Sequence, residues 1–385
     1  MRVVIIGGGA VGASAAYHLA ADPGFPGEIV VIERDPTYAR ASTTLSAASI
    51  RTQFSTPVNI ALSQYGFRFL RAAEATLGVD VGLRERGYLM LASEAGAPVL
   101  RANHATQRAA GAAVDLLDPE ALGAFGWLST EGVALGALGR RGEGWFDAAS
   151  LLAGLRGAAI RLGARFIAAE ACGFTMAGAR VAEVRTADGG RFPCDHVLCA
   201  AGAWSGAVAA WAGLPVPIRP GKRTVFHVLC REGAAVSAQS PLIVDPSGVW
   251  VRPEGAGFIC GVSPDPENDP EATDFAPDWS QFEEIIWPAL AARIPVFEAL
   301  KVSNAWAGWY EMCDWDHNGL VGPLPGAENL LIAAGFSGHG LQHSPGVGRA
   351  IAEWLIHREW RSLDMSPLAA SRVSEGRRLV ELEVI

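Results

Sequence analysis

Gly7, Gly9 and Gly12 follow the spacing G-x-G-x-x-G, directly after an apolar run and at the head of an Ala-rich stretch. That spacing suits a dinucleotide pyrophosphate. The first glycine permits a tight turn, the second lets the backbone approach the phosphates, and the third lets helix and sheet pack closely. The phosphates then sit at a helix N-terminus, where free N–H groups and the macrodipole favour negative charge. Ala10 and Val11, inside the motif, belong to the same expected site. Glu33 ends the next apolar run, where a carboxylate accepts from ribose hydroxyls, and Arg34 follows it.

Such a motif works only inside a βαβ unit, and the flanking residues supply one. Residues 2–6 read as a buried parallel strand. Ala10 to Ala21 read as a helix, stopped by Asp22-Pro23-Gly24, and Ile29 to Ile32 as the second strand. Helices are expected over 57–76, 95–110, 147–162 (Asp147 as N-cap) and from about Pro345 to His357. Strands are expected over 87–92, 165–167, 181–186, 196–201, 224–229, 248–252, 258–262 and 330–334. Pro and Gly punctuate 213–221 and 253–277, and a surface loop is expected from Asn268-Asp269-Pro270 onward.

The expected fold class is α/β (α+β overall): a Rossmann-like dinucleotide domain with an inserted β-rich substrate domain. The first is discontinuous, over 1–80, 145–212 and 320–385. The second takes 81–144 and 213–319. A chain of 385 residues is consistent with two domains.

Half the residues are hydrophobic, 18% are charged, and the formal net charge is −9. An acidic surface argues against a nucleic-acid partner. No apolar run reaches the ~18 residues a membrane helix needs, and residues 1–6 read as a strand, not a signal peptide. The six cysteines show no CxxC pair and no zinc spacing, as in a reducing compartment, so a cytoplasmic location is expected. No second G-x-G-x-x-G follows a strand. One dinucleotide site at the front, with two later Gly-rich elements, favours FAD alone over a flavin–nicotinamide pair.

Those later elements carry a resemblance. Cys199-Ala200-Ala201-Gly202-Ala203-Trp204-Ser205 looks like the strand-to-turn motif that rejoins the FAD domain in D-amino-acid-oxidase-type flavoproteins. Ala333-Ala334-Gly335-Phe336-Ser337-Gly338-His339-Gly340-Leu341 resembles their C-terminal flavin-contacting loop. Ala307-Gly308-Trp309-Tyr310-Glu311-Met312, with Asp316-His317-Asn318-Gly319 and Val321-Gly322, is similar to the preceding segment in sarcosine-oxidase-like and glycine-oxidase-like members. The stretch from Glu33 through Ser42-Thr43-Thr44-Leu45-Ser46 to Ser55 also matches, most closely the mitochondrial FAD-dependent oxidoreductase-domain proteins and bacterial relatives of the sarcosine oxidase β subunit.

The resemblance implies an FAD domain of the glutathione-reductase type. It places Ser42, Thr43 and Ser46 beside the flavin and its phosphates. It places Ala201, Gly202, Trp204 and Gly335 along the cofactor, and Gly338, His339, Gly340 and Leu341 at the flavin pyrimidine edge. There the last helix would stabilise charge on the reduced ring. It also implies a small amine or amino-acid substrate, oxygen or an acceptor protein for the electrons, and a possible homo- or hetero-oligomer.

An amino-acid substrate needs a carboxylate anchor, typically an arginine fork. Arg51, in the loop expected near the flavin, and Lys222 or Arg223, on opposite faces of one strand, are the candidates. Tyr310, His339 and Gln342 complete the expected catalytic set; His227, Trp250 and His343 are further candidates for the cavity wall. Three departures stand out. Tyr310 replaces the carboxylate-binding arginine of glycine-oxidase-like members. Gln342 replaces a lysine of monomeric sarcosine oxidases. Gly257-Phe258-Ile259-Cys260-Gly261 lacks their oxygen-activating lysine. Cys313 falls past the position of covalent flavin attachment, and no histidine occupies 42–50, so non-covalent FAD is expected. The expected reaction is oxidation of a sarcosine- or glycine-like substrate to its imine. The alternative is a weakly catalytic flavoprotein acting as an assembly factor or as one subunit of a heteromeric dehydrogenase.

Overall fold

The computed structural model describes residues 1–265 and 269–383; Asn268, where the expected acidic loop begins, lies outside them. Strand β1 (Arg2–Ile6), helix α1 (Ala10–Ala21) and strand β2 (Glu28–Glu33) form the βαβ unit, β1 and β2 pairing in parallel from Arg2↔Glu28 to Ile6↔Ile32. Residues of β1 alternate between two cores. Val3 and Ile5 pack with Ala15, Leu19 and Ile351; Val4 and Ile6 pack with Val181, Val184 and Val208. Burial on both faces explains why residues 3–6 of this strand are all apolar.

Around β1 and β2 a six-stranded sheet is completed by Arg165–Ala168, His196–Cys199, Leu320–Pro323 and Leu330–Ala334. All pairings are parallel except Leu320–Pro323 with Leu330–Ala334. The helix Gly340–His357 crosses α1 closely enough that a Cβ on Gly348 would lie 2.2 Å from Ser14 Oγ.

A separate eight-stranded sheet draws every strand from within 81–144 and 213–319. Its two longest members, Ile218–Leu229 and Lys301–Cys313, run antiparallel in the register Gly221↔Tyr310 and Arg223↔Gly308. Sequence reading begins the first of them at Thr224, because Pro and Gly crowd 213–221. The strand instead starts at Ile218. Pro220 accepts from Ala272 N at 2.9 Å on the side away from Lys301–Cys313. Its missing N–H therefore points away from Lys301–Cys313 and breaks no bond of that ladder.

Other boundaries move for similar reasons. The helix expected over 57–76 is two helices, Pro57–Arg71 and Ala73–Leu77, joined at Ala72. Asp147 caps Ala148–Arg161 as expected, accepting from Ala149 N at 2.8 Å and Ser150 N at 3.1 Å. The last helix starts at Gly340, not near Pro345, and carries Pro345 inside it; the Leu341 carbonyl, which Pro345 has no N–H to meet, accepts instead from Ser344 Oγ at 2.8 Å. Among the described residues no helix is long and apolar enough to cross a membrane.

Candidate functional site: a cleft at the end of the first strand

An elongated cleft opens where β1 gives way to α1 and encloses about 1420 Å³ with its open mouth. One end is walled by β2 and its extension, the middle by the turns after β1 and after Cys199, and the other end by Tyr310, Glu311 and the start of Gly340–His357.

The glycines divide the work. Gly7 has φ +98°, and a Cβ there would sit 2.2 Å from Ala200 O. On Gly12 a Cβ would sit 1.9 Å from Gly7 O, so this residue fixes helix-to-strand packing and faces away from the cleft. On Gly9 a Cβ would meet only Thr43 Oγ1, at 3.4 Å, while otherwise projecting into the cleft. Gly9, Ala10 and Val11 line the wall, and the first backbone bond of α1 is Ala13 N to Gly9 O at 2.8 Å. The amides ahead of it provide the positive pole of the helix. Ala10 N is held by Thr43 Oγ1 at 3.0 Å, which ties the 41–46 loop to α1.

Glu33 lines the cleft at the far end of β2. Its carboxylate accepts from Gly8 N at 2.8 Å and from Asp35 N at 2.9 Å, which fixes the glycine turn and the acid together. Arg34 lies with its guanidinium 3.7 Å over the Trp204 ring. Tyr38, not anticipated, also lines this end; burial, then the Glu33 charge, pushes its hydroxyl up to about 12.

Of the expected cofactor residues, Gly7, Gly9, Ala10, Val11, Glu33, Arg34, Ser42, Thr43, Ser46, Ala201, Gly202, Trp204, Gly338, Gly340 and Leu341 line the cleft. Gly12, Gly335 and His339 do not. The hydroxyl of Ser42 donates to Trp309 O at 2.6 Å, and Ser46 Oγ accepts from Ala48 N at 3.0 Å. Both hydroxyls therefore brace the loop as well as facing the cleft.

The catalytic expectations need more correction. Tyr310 is at the cleft, its ring lying so close to Gly338 (φ +100°) that a Cβ there would meet Cε2 at 2.3 Å. Arg51 is not: its guanidinium stacks 4.0 Å from the Phe54 ring centre and donates to Gln53 O and Glu383 O. Gln342 is turned inward, its Oε1 accepting from Arg51 N at 2.8 Å. The rings of His339 and His343 are buried with Phe54 and Phe336, and burial holds both well below the usual imidazole range. Spacing alone could not tell which side chains of the last helix's first turn face the cleft. The backbone of Gly338, Gly340 and Leu341 faces it; the side chains between them face the core.

His227 bonds Ser303 Oγ through Nδ1 and lines neither cavity. Trp250 does line a smaller side chamber, which shares Ser42, Ser46 and Tyr310 with the cleft and adds Arg223 and Ser263. Cys313 is buried, 3.7 Å from Asp316 Oδ1, and burial pushes its thiol up to about 11. It is outside the cleft and is a poor nucleophile.

Sequence reading missed Glu311. Its carboxyl lines the cleft, and burial lifts it to about 7 against the opposing pull of the Gly335 and Phe336 amides. The signal was adjacency to Tyr310: neighbours on a strand face opposite ways, yet both reach this cleft because it wraps the end of the strand.

A glycine cradle at a helix N-terminus, an acid at the far end of β2 and a second helix start at the opposite end suit an elongated dinucleotide. The comparisons agree. A family profile, "DAO: FAD dependent oxidoreductase", matches residues 2–354. The chain is 40% identical over 426 residues to FAD-dependent oxidoreductase domain-containing protein 1 of Xenopus laevis, covering all of this chain and 84% of that protein. It is 28% identical over 376 residues to 4-methylaminobutanoate oxidase (formaldehyde-forming) of Paenarthrobacter nicotinovorans, covering 92% of this chain and 44% of that protein. The crystal structure of L-proline dehydrogenase from P. horikoshii superposes with a TM-score of 0.87 at 24% identity, covering 98% of this chain and 99% of that one. With the cleft able to hold FAD non-covalently along its whole length, the chain belongs to the DAO family of FAD-dependent oxidoreductases.

Proposed function

We propose that the chain oxidises the C–N bond of a small amino acid or N-methyl amino acid to an imine, which water then hydrolyses. The observation that carries this reading is the side chamber that opens from the cleft between Ser42, Ser46 and Tyr310. It is small and largely apolar. The relative named as a 4-methylaminobutanoate oxidase and the fold neighbour named as an L-proline dehydrogenase are in keeping with a secondary amine as substrate.

Bound FAD supplies the acceptor for the hydride equivalent leaving the carbon next to nitrogen. The protein's part is aim, exclusion of water and electrostatics. Gly9 to Val11 and Thr43 would hold the diphosphate end. Gly338 to Leu341 present amides and the positive end of Gly340–His357, where negative charge gathers on reduction. Tyr310, braced on Gly338, forms the wall between cleft and chamber and fixes where the substrate carbon stops. Residues 81–144 and 213–319 act in this reading as the substrate domain.

Strand Gly257–Gly261 carries no cation, which favours transfer of the electrons to a carrier over fast reaction with oxygen. Anaerobic titration of the holoprotein with glycine, sarcosine, other N-methyl amino acids and D-amino acids tests the proposal. Bleaching of the visible flavin band by one of them is expected. No bleaching by any, with a protein partner co-purifying, supports instead a flavoprotein whose task is assembly.

A further inference from the structure

The segment from Ser42 to Ala48 divides the two cavities. Ser42, Thr43 and Ser46 line the cleft, and Ser42, Leu45, Ser46 and Ala47 line the side chamber. Thr44 N and Leu45 N close a turn on Ala41 O at 3.1 and 3.2 Å, but the segment belongs to no helix or strand. At its end Ala48 has φ +53°. A left-handed backbone at a residue with a Cβ persists only where its surroundings impose it.

The surroundings here come from the eight-stranded sheet. Trp306 Nε1 donates to Leu45 O at 3.0 Å, and Ser42 Oγ donates to Trp309 O at 2.6 Å. Arg252, on the strand Trp250–Glu254, takes the end of the segment. Its Nη2 and Nε both donate to Ala47 O, at 2.7 and 3.2 Å, and its Nη1 donates to Pro253 O at 2.9 Å. The guanidinium lies 5.3 Å from the Trp145 ring centre, and Trp145 pairs with Ser49, the residue after Ala48. Arg252 thus meets the segment's exit from two sides.

The energetics make this arginine unusual. Its side chain is 5% exposed, while that of Glu254, its ion-pair partner, is 46% exposed and screened by solvent. The carbonyls of Ala47 and Pro253 therefore carry the burial of the charge. A well-packed apolar side chain would serve the sheet's interior at least as well. It could not hold a carbonyl of the cleft wall.

We propose that Arg252 is a positioning residue for the cofactor: by holding Ala47 O from the eight-stranded sheet, it sets Ser42, Thr43 and Ser46 at the wall of the cleft that takes FAD. The proposal concerns the cofactor alone. Failure of amine oxidation would leave it standing, and its failure would leave amine oxidation standing.

The test follows the dissociation constant of FAD and the visible circular dichroism of the bound flavin, beside the melting temperature of the FAD-free protein. Arg252→Met strands no buried carboxylate. It should weaken FAD binding by about tenfold or more, the worth of a lost charge-assisted hydrogen bond, and change the flavin dichroism. Trp306→Phe removes one neutral bond to the same segment and should weaken FAD by about three- to fivefold. Arg252→Lys keeps the charge without the planar fork and should fall between the two. The control is another buried arginine of the same part of the chain. Arg293 bonds Asp245 Oδ2 at 2.6 Å and lines neither cavity. The double variant R293M/D245N should lower the melting temperature and leave both flavin readouts as in wild type. Wild-type FAD affinity and dichroism in folded Arg252→Met overturns the proposal. So does an equal loss of FAD affinity in the control at the same fall in melting temperature. If Arg252→Met does not fold, wild-type readouts in Arg252→Lys and Trp306→Phe overturn it in the same way.

Discussion

Glu311 and Gly340 meet at the end of the cleft: a Cβ on Gly340 would lie 2.8 Å from Glu311 Oε1. A carboxyl group therefore sits against the first residue of the helix whose positive end faces the cleft. No arginine or lysine offsets its burial; only the Gly335 and Phe336 amides do, and it rises to about 7.

Two consequences follow for Glu311→Gln. The folded protein holds the proton more tightly than the unfolded chain, whose Glu titrates near 4.5. The penalty is absent below that value, grows as pH rises through 4.5–7 and is complete above it. FAD-free wild type should therefore lose stability on the order of 3 kcal/mol between pH 4.5 and 8 from this group, and Glu311→Gln should not. In the holoprotein, removing a negative charge from the cleft should raise the flavin potential above pH 7. A partly screened unit charge is worth about 1–2 kcal/mol, or about 20–40 mV for a two-electron couple. Thermal melts across pH and dye-equilibrium potentials read the two effects; identical curves for both proteins would remove Glu311 from the account.

Gly9 and Gly12 should respond differently to the same added methyl. Gly12→Ala places it 1.9 Å from Gly7 O, a backbone atom that cannot yield, so loss of soluble folded protein is expected. Gly9→Ala meets only Thr43 Oγ1 at 3.4 Å within the protein and should fold. Its methyl occupies the cleft, so FAD affinity should fall by about 2–3 kcal/mol, roughly 30- to 150-fold. Melting temperature and FAD binding, measured on both variants, separate packing from cofactor contact.

Arg51 is predicted to matter for stability and not for substrate. Arg51→Lys keeps the charge but loses the planar stack on Phe54 and the paired bonds to Gln53 O and Glu383 O. A loss of about 2–3 kcal/mol in unfolding free energy is expected, with carboxylate binding to the holoprotein unchanged. A changed carboxylate affinity at wild-type stability would contradict this assignment.

Glu381 gives a second pH signature, of opposite sign. Burial alone would raise its carboxyl, but bonds from Ser55 N at 2.7 Å, Ser55 Oγ at 2.6 Å, and Asn59 Nδ2 and Thr56 Oγ1 at 2.8 Å outweigh it. Its value is held below the ordinary 4.5, so its contribution is present above that pH and is lost as pH falls through the folded value. Glu381→Gln should destabilise by about 1–3 kcal/mol at pH 7 and by less at pH 3. Chemical denaturation at the two pH values checks it.

The amino-acid sequence by itself determined β1, α1, the second strand and the glycine turn joining them, and with those the dinucleotide. These depend on short-range chemistry: an apolar run, glycines where no Cβ fits, a proline stop, an acid at a strand end. It also marked the later Gly-rich turn through Gly338, because a left-handed backbone leaves a compositional trace.

What only the tertiary structure decided is which polar side chains meet. Arg51, in a loop adjacent to the cleft, is taken by the core because Phe54 and the carbonyls of Gln53 and Glu383 surround it. Arg223 reaches the side chamber because its strand starts at Ile218 and pairs with Lys301–Cys313, a register that no local pattern encodes. Tyr310 and Glu311 alternate on one strand, and their partners Gly338 and Gly340 come from a distant turn. The physical reason is common to all of them. A local motif fixes backbone conformation within a few residues, whereas the direction and charge of a site arise where segments far apart in sequence converge.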